Sequence, residues 1–180
     1  MKKFDFKFII AVLLIAVLHA CVGMKTSSGG GSSPSLVKMY SKGKDSLLCH
    51  AGPVEYHGVN NSDELELDYT YLKVKGHSND VVCNFSLISS DATIRPDRVT
   101  IEVNGEKTSV NDLEKFFAEG YGKKHYKYRY SFSISDTLYY NLMKSEKPLI
   151  TVNDRVFTGG RDHRKKSNTI FRAILFDLYN

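Results

Sequence analysis

The chain has no tryptophan, three cysteines and four prolines in 180 residues. So few cysteines exclude a disulfide-dense scaffold, and so little proline beside 13 glycines excludes collagen-like or proline-rich sequence. No stretch reaches the roughly 20 apolar residues that a permanent membrane helix needs. There is no nucleophile elbow, no HExxH pair, no P-loop and no paired nucleophile and base. Asp162-His163 is the one acid/imidazole neighbour pair of note, and adjacent residues rarely orient each other. No catalytic residue, cofactor or metal is therefore assigned. What is present, 42% apolar and 25% charged residues, is the composition of one globular domain.

The longest apolar run stands at the N-terminus. Lys2, Lys3 and Lys7 precede an almost unbroken run from Phe8 to Leu18, which together form the charged and apolar regions of an export signal. Leu18-His19-Ala20-Cys21 places an aliphatic residue three before a cysteine and a small one just before it. This segment resembles the lipobox of bacterial lipoproteins. The resemblance implies that residues 1–20 are removed and that Cys21 is acylated, holding the chain on a lipid bilayer. Each buried methylene contributes about 0.8 kcal/mol, so several acyl chains anchor stably where one is marginal. The plainer alternative is secretion after cleavage at Ala20. Residues 21–34 then form the lipidated cysteine and a Ser/Gly-rich tether. Val22 to Pro34 reaches at most about 45 Å extended and averages ~20 Å as coil. No acidic residue closely follows Cys21, which the resemblance links to the periplasmic side of the outer membrane.

Residues 35–180 read as a single β-rich domain. Tyr126 to Ile134 alternates apolar and polar residues without a break, the pattern of a half-buried strand with Tyr126, Tyr128 and Tyr130 inward. Leu65, Leu67, Tyr69 and Tyr71 alternate likewise before the phase moves to Leu72 and Val74, which predicts a bulge near Tyr71. Val81 to Leu87 forms a third strand, and Val99 to Val103 leads into Asn104-Gly105, a hairpin turn. Leu149 to Val152 turns at Asn153-Asp154 into Arg155 to Phe157, and the closing run Thr169 to Tyr179 adds a strand. Two helices are expected. In the first, Ser109 caps, Leu113, Phe116 and Phe117 share a face and Gly120 terminates. In the second, Ser135 caps, Leu138 and Tyr139 stack on Leu142 and Met143, and Pro148 closes. The expected fold is mainly β, an antiparallel sandwich with one or two helices at an edge, an α+β two-layer arrangement being the alternative.

With Cys21 acylated, Cys49 and Cys83 remain as an even pair in an oxidising compartment. A disulfide closing about 35 residues would contribute roughly 3 to 4 kcal/mol, and two small apolar core residues are the alternative. His50 and His57 lie near Cys49 without a metal-ligand spacing.

Charge is uneven: residues 21–121 sum to −4 and residues 122–180 to +7. The basic residues gather at Lys123, Lys124, Lys127 and Arg129, and in a glycine-opened loop carrying Arg161, Arg164, Lys165 and Lys166. Together they form a candidate surface for an anionic partner, with Asp63, Glu64, Glu66 and Asp68 as an acidic counterpart. Solvated charge is the bland reading of both. Nucleic acid does not suit an exported lipoprotein. The reading the sequence supports is a tethered, non-enzymatic module that docks on another envelope protein. Its alternative is a binder of anionic glycolipid or cell-wall polymer.

Overall fold

Period-two alternation builds most of the molecule. A computed structural model describes residues 36–42, 46–74, 80–160 and 162–178; the export segment, Cys21, the tether and Arg161 lie outside the described residues. The strands are β1 (Val37–Ser41), β2 (Ser46–Gly58), β3 (Glu64–Val74), β4 (Val81–Ser89), β5 (Val99–Val103), β6 (Glu106–Val110), β7 (Glu114–Tyr121), β8 (His125–Ile134), β9 (Leu149–Val152) and β10 (Arg155–Gly159). Two helices join them, α1 (Asp136–Lys144) and α2 (His163–Leu178). The described strands pair antiparallel in the order β6-β5-β9-β10-β2-β3-β4-β8-β7, with β1 also on β2.

The protein is thus mainly β, and its strands form one strongly curled sheet, a half-barrel, where two facing sheets were expected. Curling lets a single sheet enclose its own apolar face. The two strands that end this order, β6 and β7, are consecutive in the chain. Residues 111–113 link them, so Val110 and Glu114 are no more than about 14 Å apart at this corner.

The concave face is the core. Leu65, Leu67, Tyr69 and Tyr71 of β3 point inward and bury, together with Val54 and Tyr56 of β2, Phe85 and Leu87 of β4, and Tyr130 and Phe132 of β8. Phe85 stacks on Tyr130 with ring centroids 5.4 Å apart, and Tyr69 lies 4.8 Å from Tyr139 of α1. Burial raises the pKa of the Tyr56, Tyr69 and Tyr139 phenols and of the Cys83 thiol, so all stay protonated. The bulge expected near Tyr71 is not there. The slip lies on the partner strand, between Ala51 and Val54, and Leu72 stays on the convex face, 38% exposed. Pro53 has no N–H for the ladder, and Gly52 takes φ 108°, which explains the slip at this pair.

The turns follow the sequence. Asn104-Gly105 joins β5 to β6 with both residues at positive φ, and Asn153, at φ 56°, turns β9 into β10. At α1, the Ser135 hydroxyl accepts from the Leu138 amide at 3.2 Å, and Tyr139, Leu142 and Met143 bury.

Three expectations need correction. The helix expected from Ser109 to Gly120 is the end of β6 followed by β7, whose ladder with β8 overrides the helical spacing of Leu113, Phe116 and Phe117. The closing run, up to Leu178, is part of the helix α2, which begins within the supposed basic loop and buries His163, Ser167 and Ile170, one turn apart along one side; Tyr179 lies outside the described residues. Cys49 and Cys83 are buried and not joined by a disulfide. Cys49 faces Tyr71, Cys83 faces Tyr69, and β3 runs between them. Two strand spacings, about 10 Å, exceed the ~7 Å that a disulfide can bridge between Cα atoms.

Candidate functional site

The convex face sorts its charges by cross-strand register. Glu55 of β2, Glu66 of β3, Ser86 of β4 and Arg129 of β8 lie in one row, each opposite the next. Asp68, Asn84 and Ser131 form the row beside it. Arg129 bonds Asp68 at 2.5 Å and the Ser86 hydroxyl at 2.9 Å, and the Asn84 amide donates to the other Asp68 oxygen at 2.9 Å. Lys127 reaches Glu66 at 3.2 Å. The acidic and basic runs of the sequence therefore meet within the chain. Asp63, the first of the acidic run, is buried and bonds Arg155.

This geometry pairs much of the expected basic surface with carboxylates. Lys127 and Arg129 lie on β8 with carboxylate partners, and Lys166 and Arg164 lie in the first turns of α2, paired with Glu55 at 2.6 Å and Glu146 at 2.8 Å. Glu55 and Glu66 face each other across β2 and β3, so Lys166 and Lys127 sit on neighbouring carboxylates instead of offering free positive charge. Lys123 and Lys124 are exposed at the β7–β8 turn and Lys165 on α2. Arg161 lies outside the described residues. Gly159 and Gly160 do not serve a hairpin loop. A Cβ on Gly159 would come within 2.5 Å of the buried His163 ring, and one on Gly160 within 2.4 Å of His57, so close packing explains both.

The group that sequence reasoning missed is the β7–β8 hairpin. All eight residues of β7 are exposed, among them Phe116 (53%), Phe117 (40%) and Tyr121 (47%), and Tyr126 across the turn is 39% exposed, not the core residue expected. A slip between Lys115 and Phe117 makes Phe116 an extra residue in the strand. Past it, Phe117 faces Arg129, Glu119 faces Lys127 and Tyr121 faces His125, which puts Phe117 and Tyr121 on the convex face. The Lys127 ammonium lies 5.4 Å from the Tyr121 ring centroid. Strand β7 ends the sheet, so no strand among the described residues lies beside its outer backbone groups. The other edge, β6, carries Glu106, Lys107, Thr108 and Ser109 instead, the polar cover usual on an edge strand.

A second feature is a cleft of about 240 Å³ at the β2 slip, lined by Leu36, Lys38, His50, Gly52, Pro53 and Asp68 among others. Two of its polar groups are engaged locally, His50 with the Thr70 hydroxyl at 2.9 Å and Asp68 with Arg129 and Asn84. Among the described residues, no group of three or more His, Cys, Asp or Glu side chains is placed to hold a metal ion. No family model, curated protein or solved structure matches this chain.

Proposed function

We propose that this chain is a lipid-anchored envelope protein, held through acylated Cys21 on the periplasmic side of the outer membrane, whose β domain is a non-enzymatic protein-interaction module docking through the β7–β8 hairpin. The observation that carries this reading is the exposure of Phe116, Phe117, Tyr121 and Tyr126 on an edge hairpin while the opposite edge is polar. Aromatic residues are the anchors of protein interfaces, and an edge strand offers backbone groups for a partner strand. The competing reading, an anionic glycolipid or polymer on a basic face, has fewer residues to rest on. Lys127, Arg129, Arg164 and Lys166 already have carboxylate partners.

The test is crosslinking of the tagged lipoprotein in cells, then detergent extraction, a high-salt wash and mass spectrometry of what stays bound. Wild type retains one or two stoichiometric envelope proteins. Phe117→Ser and Tyr121→Ser each reduce retention about tenfold or more, as loss of an aromatic anchor does, and leave stability within about 0.5 kcal/mol because both side chains are exposed. Recovery of lipid or glycan alone, released by salt and insensitive to these substitutions, would overturn the proposal in favour of polyanion binding.

A further inference from the structure

The convex face carries a second apolar area, at the far end of the sheet from the hairpin turn. In the register of β1, β2 and β3, Tyr40 faces Leu48 and Leu48 faces Leu72. Val82 of β4 lies one row along, opposite Thr70 and Ser133. Tyr40 is 49% exposed, Val82 39% and Leu72 38%. Exposed apolar side chains grouped on one sheet face mark a surface that something covers. Lys38 and Lys42, both exposed, share the outward phase of β1 with Tyr40, and neither forms an ion pair among the described residues.

We propose that this end of β1–β4 rests on an anionic lipid surface, so that the domain stands on the membrane with its hairpin turned away from it. Two observations select lipid. First, the patch combines an aromatic ring and aliphatic side chains with unpaired lysines, the pattern that seats in the headgroup region of an anionic leaflet. Second, the tether joins β1, the strand that carries Lys38 and Tyr40, four residues or about 13 Å along the strand from Tyr40. Residues 22–35 end at Leu36, whose carbonyl accepts from the Gly52 amide at 2.9 Å, and β1 starts at the next residue. A Ser/Gly-rich tether of that length, which as a coil would average ~20 Å, would keep β1 at high effective concentration near the bilayer. The β7–β8 turn is at the other end of the strands. From Ser133, beside Val82, to His125 at the turn is eight residue steps of β8, about 27 Å along the strand direction.

The proposal rests on the lipid-anchor reading, and the experiment separates the two. The mass of the Cys21 peptide from wild-type protein tests acylation alone. The acylated protein is then placed in vesicles of phosphatidylethanolamine and phosphatidylglycerol containing nitroxide-labelled lipid, with a fluorophore on Ser133→Cys or on Lys123→Cys. Strong quenching at residue 133 with little at residue 123 is expected. Equal quenching at the two, or none at 133, would overturn the orientation. In parallel, the unacylated mature chain, residues 21–180 with Cys21→Ser, is partitioned onto the same vesicles. Lys38→Gln with Lys42→Gln should weaken partition roughly twenty-five-fold, at about fivefold per lysine. Tyr40→Ser should weaken it as well, while Lys123→Gln should not. Partition unchanged by these substitutions, or a dimer in solution that Tyr40→Ser dissolves, would overturn the proposal, the latter assigning the patch to a second copy of the chain.

Discussion

Individual backbone positions carry much of the specification, and Gly52 most of all. Its φ of 108° lies where side chains are rarely tolerated, and a Cβ there would stand 2.8 Å from the Leu67 carbonyl oxygen and 3.0 Å from the Asp68 Cα. Both obstacles are backbone of the central strand β3, which cannot swing aside. Gly52→Ala should therefore destabilise by about 2 kcal/mol or more, read as a lower urea midpoint at unchanged m-value. A change under about 0.5 kcal/mol would show that the slip relaxes freely. The sequence indicated a break in the β2–β3 ladder but placed it on β3. Leu72 and Val74 shift the apolar phase because Leu72 lies on the exposed convex face, and that is not visible without knowing what the face does.

At the scale of elements, legibility followed the number of competing patterns. β8 shows one period and α1 one period and one cap, and both form where their residues predict, with Tyr126 at the start of β8 left exposed. β7 shows two. Leu113, Phe116 and Phe117 fit a helix face, and the extra residue at Phe116 breaks the alternation that would have revealed the strand. The candidate site went unread for the same reason, because its aromatics looked like a helix core. α2 was hidden differently: of the residues it buries in its first two turns, His163 and Ser167 are polar, so the helical stripe does not look apolar. His163 sits edge-on to Tyr56, ring centroids 4.8 Å apart, with Ser167 at 3.3 Å. Burial lowers its pKa from the ordinary 6.5. The unfolded chain then binds a proton that the folded chain refuses, so stability falls as pH drops below about 6.5 and stops falling on this account below the folded value. Urea midpoints measured from about pH 7.5 to pH 5 should decline less steeply in His163→Gln than in wild type. Equal slopes would show that α2 does not depend on a neutral imidazole.

On the scale of the whole molecule, one end of the half-barrel is held by side chains far apart in sequence. Arg155, at the start of β10, bonds Asp63 before β3 and Asp91 after β4, the latter at 2.8 Å. Asn153, two residues earlier, bonds the Arg95 carbonyl at 2.9 Å and the Asp97 amide at 3.0 Å. These contacts join the β2–β3, β4–β5 and β9–β10 connections, which the curl of the sheet brings to one place. No local pattern predicts them, since their sequence separations run from 56 to 92 residues. Asp63 is only 4% exposed, so removing its partner leaves a buried charge uncompensated. Arg155→Met should cost about 3 kcal/mol at neutral pH, and adding Asp63→Asn should recover part of that loss, because the second change removes the stranded charge. Asp91 gives the pH signature. Hydrogen bonds from Thr93 first, and then Arg155, lower its pKa, so its contribution is complete at neutral pH and is lost as pH falls through the folded value. Arg155→Met takes away the arginine share of that lowering. Its urea midpoint should therefore depend less steeply on pH in the acid range than that of wild type, and parallel curves would mean that Thr93 alone holds the Asp91 carboxylate.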